Sequence, residues 1–316
     1  MEVPENSFHT HGWRQALLRR CKGLPPIPTA VAHPCDVAAL KAAVEAATEG
    51  LITPILVGPE EKIRAAAAAE SLDISCFRIE PAPHSHAAAR QAVALVRSGD
   101  AQLLMKGSLH TDELMHEVMA PDTGLRTARR ISHVYIMDVP RYPRPLMITD
   151  AAINIAPSLE DKRDIVQNSI DLAHVLGLAL PKVAILSAVE TVTSKLQSTL
   201  DAAALCKMAD RAQITGGLLD GPLAFDNAVS PEAAAEKALV SQVAGIADIL
   251  VVPDLVSGNI LAKQLTFLAG ADAAGIVVGA RVPIILTSRA DPETARIASC
   301  AVAVVMAYAV ARPVDS

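Results

Sequence analysis

The chain has 316 residues, 51% of them hydrophobic but only 3% aromatic, enough to bury two lobes with a core of Ala, Val, Leu and Ile. Its net charge of −6 argues against a nucleic-acid or anionic-membrane surface, which would need clustered excess Lys and Arg. Five dispersed cysteines lacking CxxC or metal-ligand spacing point to a reducing cytoplasm, Glu2 and Glu5 stand where a secretory signal would be apolar, and the longest apolar run, Ala298–Ala311, is shorter than the ~20 residues of a membrane span.

The first 25 residues read as a loose polar arm. From Thr29 onward, short apolar runs alternate with Ala-rich amphipathic stretches: strands near 29–33, 52–57, 76–80 and 102–106, with helices over 36–48, 59–70 and 85–98. This is βαβ repetition, so the fold class is α/β, with largely parallel sheets covered by helices. Val134–Val139 and Leu146–Asp150, joined by a Pro-containing loop, read instead as an antiparallel pair. A lobe boundary is placed there: 1–145 form a first lobe, completed by the C-terminal helix at about 288–316, and 146–287 form a second. In the second lobe the expected helices are 159–176, 194–209, 231–243 and 259–269, and the expected strands are 182–187, 213–219, 248–252 and 283–287. A final buried helix spans about 292–311.

Ligands of open α/β sheets bind at the carboxyl ends of strands, where helix amino termini present free N–H groups, so four strand-to-helix turns hold the candidates. Lys106-Gly107-Ser108, with a helix capped by Thr111 or Ser108, combines a cation, a permissive Gly and hydroxyls; it is either an anion site or a solvated Lys beside an ordinary cap. Ser288-Arg289-Ala290-Asp291-Pro292 offers a guanidinium fork suited to phosphate, while Asp291 before a Pro reads as an N-cap ahead of a catalytic acid or base. Gly258-Asn259, with Lys263 one turn further along, is a turn with Asn259 as cap or a ligand loop. Asp220 and Asp226 read as Asx turns around a Gly-Pro bend rather than a metal or acid/base pair. Arg126, Arg129, Arg130, Arg141 and Arg144 form a local basic patch, suited either to a ligand with several phosphates or to a salt-bridged dimer surface.

Taken in order, LLMKGSLHTDELM, SHVYIMDV, LMITDAAINIAP, VAILSAVE, LLDGPLAFDNA, ADILVVPDLVSGNILAKQL and VPIILTSRAD resemble the phosphate acetyltransferase and phosphate butyryltransferase family over about residues 100–300. The resemblance implies a two-lobed fold like the isocitrate and isopropylmalate dehydrogenases, a homodimer, and an inter-lobe cleft holding acyl-CoA or CoA together with phosphate or acyl phosphate. CoA is then a substrate; no cofactor, metal or nicotinamide is implied. It assigns phosphoryl binding to Ser288 and Arg289 and places Gly258, Asn259 and Ile260 at the same cleft. In this chain Ala290-Asp291-Pro292 stands where well-known acetyltransferases have Gly-Cys, with the Asp proposed as base farther into the helix. The Lys106-Gly107-Ser108 turn is nearer the butyryltransferase type.

The mechanism expected from this resemblance is direct attack of the CoA thiolate on an acyl-phosphate carbonyl. Arg289, Lys106 and Ser288 would steady the leaving phosphate, Asp291 would take the thiol proton, and Arg129 and Arg130 would hold CoA phosphates. A non-catalytic acyl-CoA-sensing module and a metal- and nicotinamide-dependent decarboxylase on the same fold are the readings from other classes. The first lacks a partner domain and the second its Asp cluster.

Overall fold

The computed structural model describes residues 12–287 and 291–311. Contacts divide them into two compact units, one of 12–16 with 130–273 and the other of 17–129 with 274–311.

The second of these contains β1 (Ile27–Ala32), β2 (Ile52–Gly58), β3 (Arg78–Pro81) and β4 (Leu103–Lys106), alternating with α2 (Val37–Thr48), α3 (Glu60–Ala69) and α4 (Ser85–Ser98). Asp36 starts α2 by accepting from the amide of Ala39 at 2.8 Å, and Gly99, at φ +87°, ends α4 in the left-handed region. The strands lie in the order β3-β2-β1-β4, all parallel, followed by β11 (Ile284–Ile285) parallel to β4 and β10 (Asp272–Val278) antiparallel to β11. From β1 the chain runs outward to β2 and β3, then returns to the other side of β1 as β4. The order therefore reverses between β1 and β4, and the crevice at their carboxyl ends is the ligand position such sheets offer. The last helix, α11 (Glu293–Ala311), packs on α2; its Ala298 and Cys300–Val304 are almost fully buried, as the apolar run required.

The other unit carries β5 (Ser132–Asp138), β6 (Leu146–Thr149), β7 (Lys182–Leu186), β8 (Leu218–Leu223) and β9 (Ile249–Val251) in the order β5-β6-β9-β7-β8. The expected antiparallel pair is β5 and β6; the remaining neighbours are parallel. Its long helices are α6 (Leu159–Leu176), opened by a reciprocal capping box of Ser158 and Asp161, α7 (Gln197–Asp210) and α10 (Leu255–Phe267).

Several expectations are corrected. The supposed loose arm contains α1 (Trp13–Cys21), which buries Trp13, Ala16, Leu17 and Cys21 along one stripe. β10 was not expected at all. The helix expected over 231–243 is shorter, α9 (Pro231–Glu236), and is preceded by a short unexpected helix, α8 (Phe225–Val229), while β8 begins five residues late, beyond the Gly216-Gly217 bend.

Candidate active site

The sequence-derived candidates fall into two clusters, one in each unit. In the 17–129 and 274–311 unit, β4 ends at Lys106 and the chain turns so tightly at Gly107 that a Cβ there would fall on the carbonyl oxygen of Ala32 and within 2.6 Å of that of His33. Ser108 then locks this turn to the end of β1. Its Oγ donates to the His33 carbonyl at 2.7 Å, accepts from the Cys35 amide at 3.2 Å and lies 3.1 Å from His33 Nδ1. With the hydroxyl hydrogen on the carbonyl, His33 Nδ1 is the donor to Ser108, which fixes the neutral ring's tautomer. Burial pushes the His33 pKa below its ordinary value, and the charge of Lys62 adds to that.

The following helix, α5 (Thr111–Val118), has His110 at its cap position and no side-chain cap, so neither Ser108 nor Thr111 plays that part. Thr111 is its first residue and is half-buried. Lys106 is only 8% exposed, and its Nζ donates to the carbonyls of Gly107 at 3.1 Å and Leu109 at 3.2 Å. The ammonium is thus held in place as a positive charge at the strand end.

A pocket opens at the β1/β4 crevice, lined by Lys106, Gly107, Thr287, Asp36, Ala39 and Arg296. Ser288 and Arg289 directly follow Thr287 in the chain and lie outside the described residues. Asp291 is half-buried, and its carbonyl accepts from Arg296 at 3.0 Å. The carbonyl of Pro292 accepts from the amides of Ala295 and Arg296, so α11 starts at Glu293, one residue later than a cap at Asp291 requires. Arg129 is exposed, and its amide donates to Thr127 Oγ1 at 3.1 Å.

In the 130–273 unit the carboxyl ends of neighbouring β6 and β9 carry the second cluster. Asp150, 3% exposed, accepts from the amides of Ala152 at 2.9 Å, Ile153 at 3.0 Å and Asn154 at 3.3 Å, and from Asn154 Nδ2 at 2.6 Å. Burial raises the Asp150 carboxyl, against the pull of these donors and the His133 amide. Asn154 Oδ1 in turn accepts from Arg130 Nε at 2.7 Å, while the Arg130 amide donates to Asp164 at 2.9 Å and its guanidinium stands 3.4 Å from Asp161.

α10 is capped by Asp254, whose Oδ1 accepts from the Ser257 amide at 2.9 Å, rather than by the expected Asn259. Gly258 and Asn259 therefore lie inside the helix. A Cβ at Gly258 would come within 2.7 Å of Val252 and 3.0 Å of the Asp150 carbonyl, and Asn259 Nδ2 reaches the Ala151 carbonyl at 3.3 Å, so both hold the helix against the 150–154 turn. Lys263 is exposed one turn on.

The basic patch is partly spent on structure, since Arg144 pairs with Asp248 at 3.4 Å. Asp220 Oδ1 accepts from the Gly221 amide at 2.8 Å, as a turn residue does. Among the described residues no group of His, Cys, Asp and Glu is arranged to hold a metal ion. Asp36, Arg296, Asp150 and Asn154 are site-lining residues that the reading of the sequence did not single out. For the last two the signal was an Asp followed four residues later by Asn straight after a strand.

The sequence model described as "Phosphate acetyl/butaryl transferase" matches residues 84–304. The chain belongs to this family. Within the phosphate acetyl/butaryl transferases, a phosphate acetyltransferase of Rhizobium meliloti is 65% identical over 291 residues, 92% of each chain. A phosphate butyryltransferase of Clostridium acetobutylicum is 41% identical over 288 residues, 91% of this chain and 95% of its own. A solved branched-chain phosphotransacylase of Enterococcus faecalis matches with a TM-score of 0.77 at 32% identity, over 89% of this chain and 99% of that one. The two-unit, largely parallel α/β fold and the transferase class read from the sequence are those of the family.

Proposed function

We propose that this enzyme moves an acetyl group reversibly between CoA and inorganic phosphate. One observation carries the choice of acetyl: identity of 65% to a phosphate acetyltransferase against 41% to a phosphate butyryltransferase over nearly the same length.

In the CoA-acylating direction the thiolate sulfur attacks the acyl-phosphate carbonyl carbon. The S–C bond forms, the C–O bond to the phosphoryl group breaks, and phosphate leaves with that electron pair. A free thiol has a pKa near ~8.5 and is only a few per cent ionised at neutral pH, so a base or a positive field is needed. Asp291 is our candidate to take the proton. Ser288 and Arg289 hold the phosphoryl oxygens, with Lys106 as the buried charge behind them. Ser108 and Thr111 belong to the turn that shapes this site. Arg129, Arg130, Gly258, Asn259 and Lys263 are our candidates for contact with CoA.

No helix among the described residues is long and apolar enough to cross a membrane, and all five cysteines are free thiols, in keeping with a cytoplasmic enzyme. The proposal extends to a homodimer and to no cofactor beyond CoA as substrate.

The test is CoA-dependent phosphate release from acetyl phosphate without added metal, with Arg289→Ala expected to lower kcat roughly a hundredfold. An Arg289→Ala enzyme keeping more than about half of kcat/KM would overturn the phosphate assignment. A better than tenfold kcat/KM preference for butyryl-CoA over acetyl-CoA would replace acetyl by butyryl and leave the reaction class intact.

A further inference from the structure

We propose that Arg296 binds the substrate's phosphoryl group directly, forming with Lys106 and the first turn of α2 an oxyanion subsite at the β1/β4 crevice. This rests on the acyl-phosphate chemistry above, and adds a ligand on the body of α11 rather than on the turn before it.

Four observations lead to Arg296. It lines the pocket together with Lys106 and the start of α2. Among the described residues its guanidinium is only partly used: one terminal nitrogen donates to the Asp291 carbonyl at 3.0 Å, while Nε is closed off from solvent and has no hydrogen-bond partner. Buried donors in folded proteins are nearly always paired, so an unpaired guanidinium N–H on a residue that lines a pocket is in want of an acceptor.

The charge is also uncommitted, since Arg296 makes no ion pair among the described residues. Glu45 of α2 feels it: burial first raises that carboxyl, Glu293 raises it further, and Lys41 and Arg296 both lower it, yet the ion pair Glu45 makes is with Lys41 at 3.6 Å. Finally, Arg296 and Glu293 are the only charged residues in the sequence of α11, whose other positions are Ala, Val and similar small or apolar residues. A cation in such a helix, one turn from its start, is placed for a ligand rather than for solubility.

The one carboxylate on the pocket wall, Asp36, is engaged in capping α2 through the Ala39 amide at 2.8 Å. With its charge retained, Asp36 offsets one of the two cations on the wall, so the space keeps a net positive charge, to which the first turn of α2 adds, and it favours a compact anion rich in acceptor oxygens over a neutral group. A phosphoryl group fits that description whether it belongs to inorganic phosphate and acyl phosphate or to the ribose phosphate of CoA, and the proposal commits to the former.

The experiment measures KM for inorganic phosphate and for acetyl-CoA in wild type, Arg296→Ala and Arg296→Lys. Loss of charge-assisted hydrogen bonds is expected to raise KM for phosphate roughly tenfold to a hundredfold in Arg296→Ala, with KM for acetyl-CoA within twofold and an intermediate value in Arg296→Lys. Phosphate is likewise expected to raise the Tm of wild type and not of Arg296→Ala. A rise in KM for acetyl-CoA that disappears with the dephospho form of CoA would assign Arg296 to the ribose phosphate and overturn the proposal. A lowered Tm with both KM values unchanged would make Arg296 a neighbour of Glu45 that merely steadies α2 against α11, and would overturn it too. If wild type fails to transfer acetyl at all, the reaction assigned above is what falls, and the phosphate-dependent Tm shift still decides Arg296. Should Arg296→Ala not fold, Arg296→Lys, which keeps the charge and loses Nε–H and the planar fork, carries the same comparison.

Discussion

His133 on β5 is fully buried, its ring edge-on to Tyr135 with centroids 4.4 Å apart, and among the described residues neither ring nitrogen has a hydrogen-bond partner. Burial pushes its pKa down to about 3. The unfolded chain binds a proton at this residue near its ordinary value of 6.5 while the folded chain does not, so folding stability falls as pH drops from about 6.5 toward 3, by up to about 1.4 kcal/mol per pH unit. Asp150, raised by burial, contributes with the opposite sign, which is why the comparison has to be with a variant. Urea midpoints of wild type and His133→Phe are expected to converge or cross as pH is lowered through this window; parallel curves would mean that His133 is not neutral in the fold.

Asp291 is settled by rate and melting together. Asn caps a helix as well as Asp but accepts no proton, so Asp291→Asn with normal kcat would exclude the base, and a large loss of kcat at unchanged Tm would establish a chemical role. The residues that sequence exposed were those with local signatures: Lys106 at a strand end, Ser288-Arg289 before a helix, Gly258-Asn259 in a turn-like pair. Arg296 has none, since its place in the site comes from α11 packing on α2 far away in the chain. Asn259 was misread as a cap because Gly258 looks like a break. In the fold, packing against the Asp150 turn outweighs the weak helix propensity of Gly, and Asp254 starts the helix one turn earlier.

Elements with a clear period were legible: α2, α4 and α6 fall within a residue or so of where apolar spacing places them. β10 escaped because Asp-Ala-Ala-Gly-Ile-Val-Val opens on three small or polar residues between glycines, and its strand character comes from pairing with β11. α1 does carry a periodic signal, since Trp13, Leu17 and Cys21 recur every fourth residue, but charged surroundings mask it.

α10 points outward. Val256, Ile260 and Phe267 share one face and are 60%, 60% and 70% exposed. An apolar stripe of this kind suits a partner surface, and the proposed homodimer would cover it. Ile260→Glu combined with Phe267→Glu is expected to shift the protein from dimer to monomer in light scattering; a dimer that survives both changes uses another surface.

At the scale of the molecule, the unit holding the Lys106 pocket is assembled from two distant stretches, 17–129 and 274–311. β11 and α11 supply the neighbour of β4 and the cover of α2, so a chain ended at residue 273 is expected to lose the cooperative melt of that unit by circular dichroism. Adding the missing segment as a separate peptide is expected to restore it; a truncated chain that melts like the whole would show that the first stretch folds unaided.

The same discontinuity orders events at the ribosome. The edge of β4 that later meets β11 emerges early and then waits while residues 130–273 are made, on the order of ten seconds at cellular elongation rates. Throughout that interval the nascent chain presents an open parallel edge, the geometry that pairs readily with a neighbouring copy on the same messenger. Pausing across the middle of the gene would lengthen that exposure, and the arrival of β11 at β4 is what ends it.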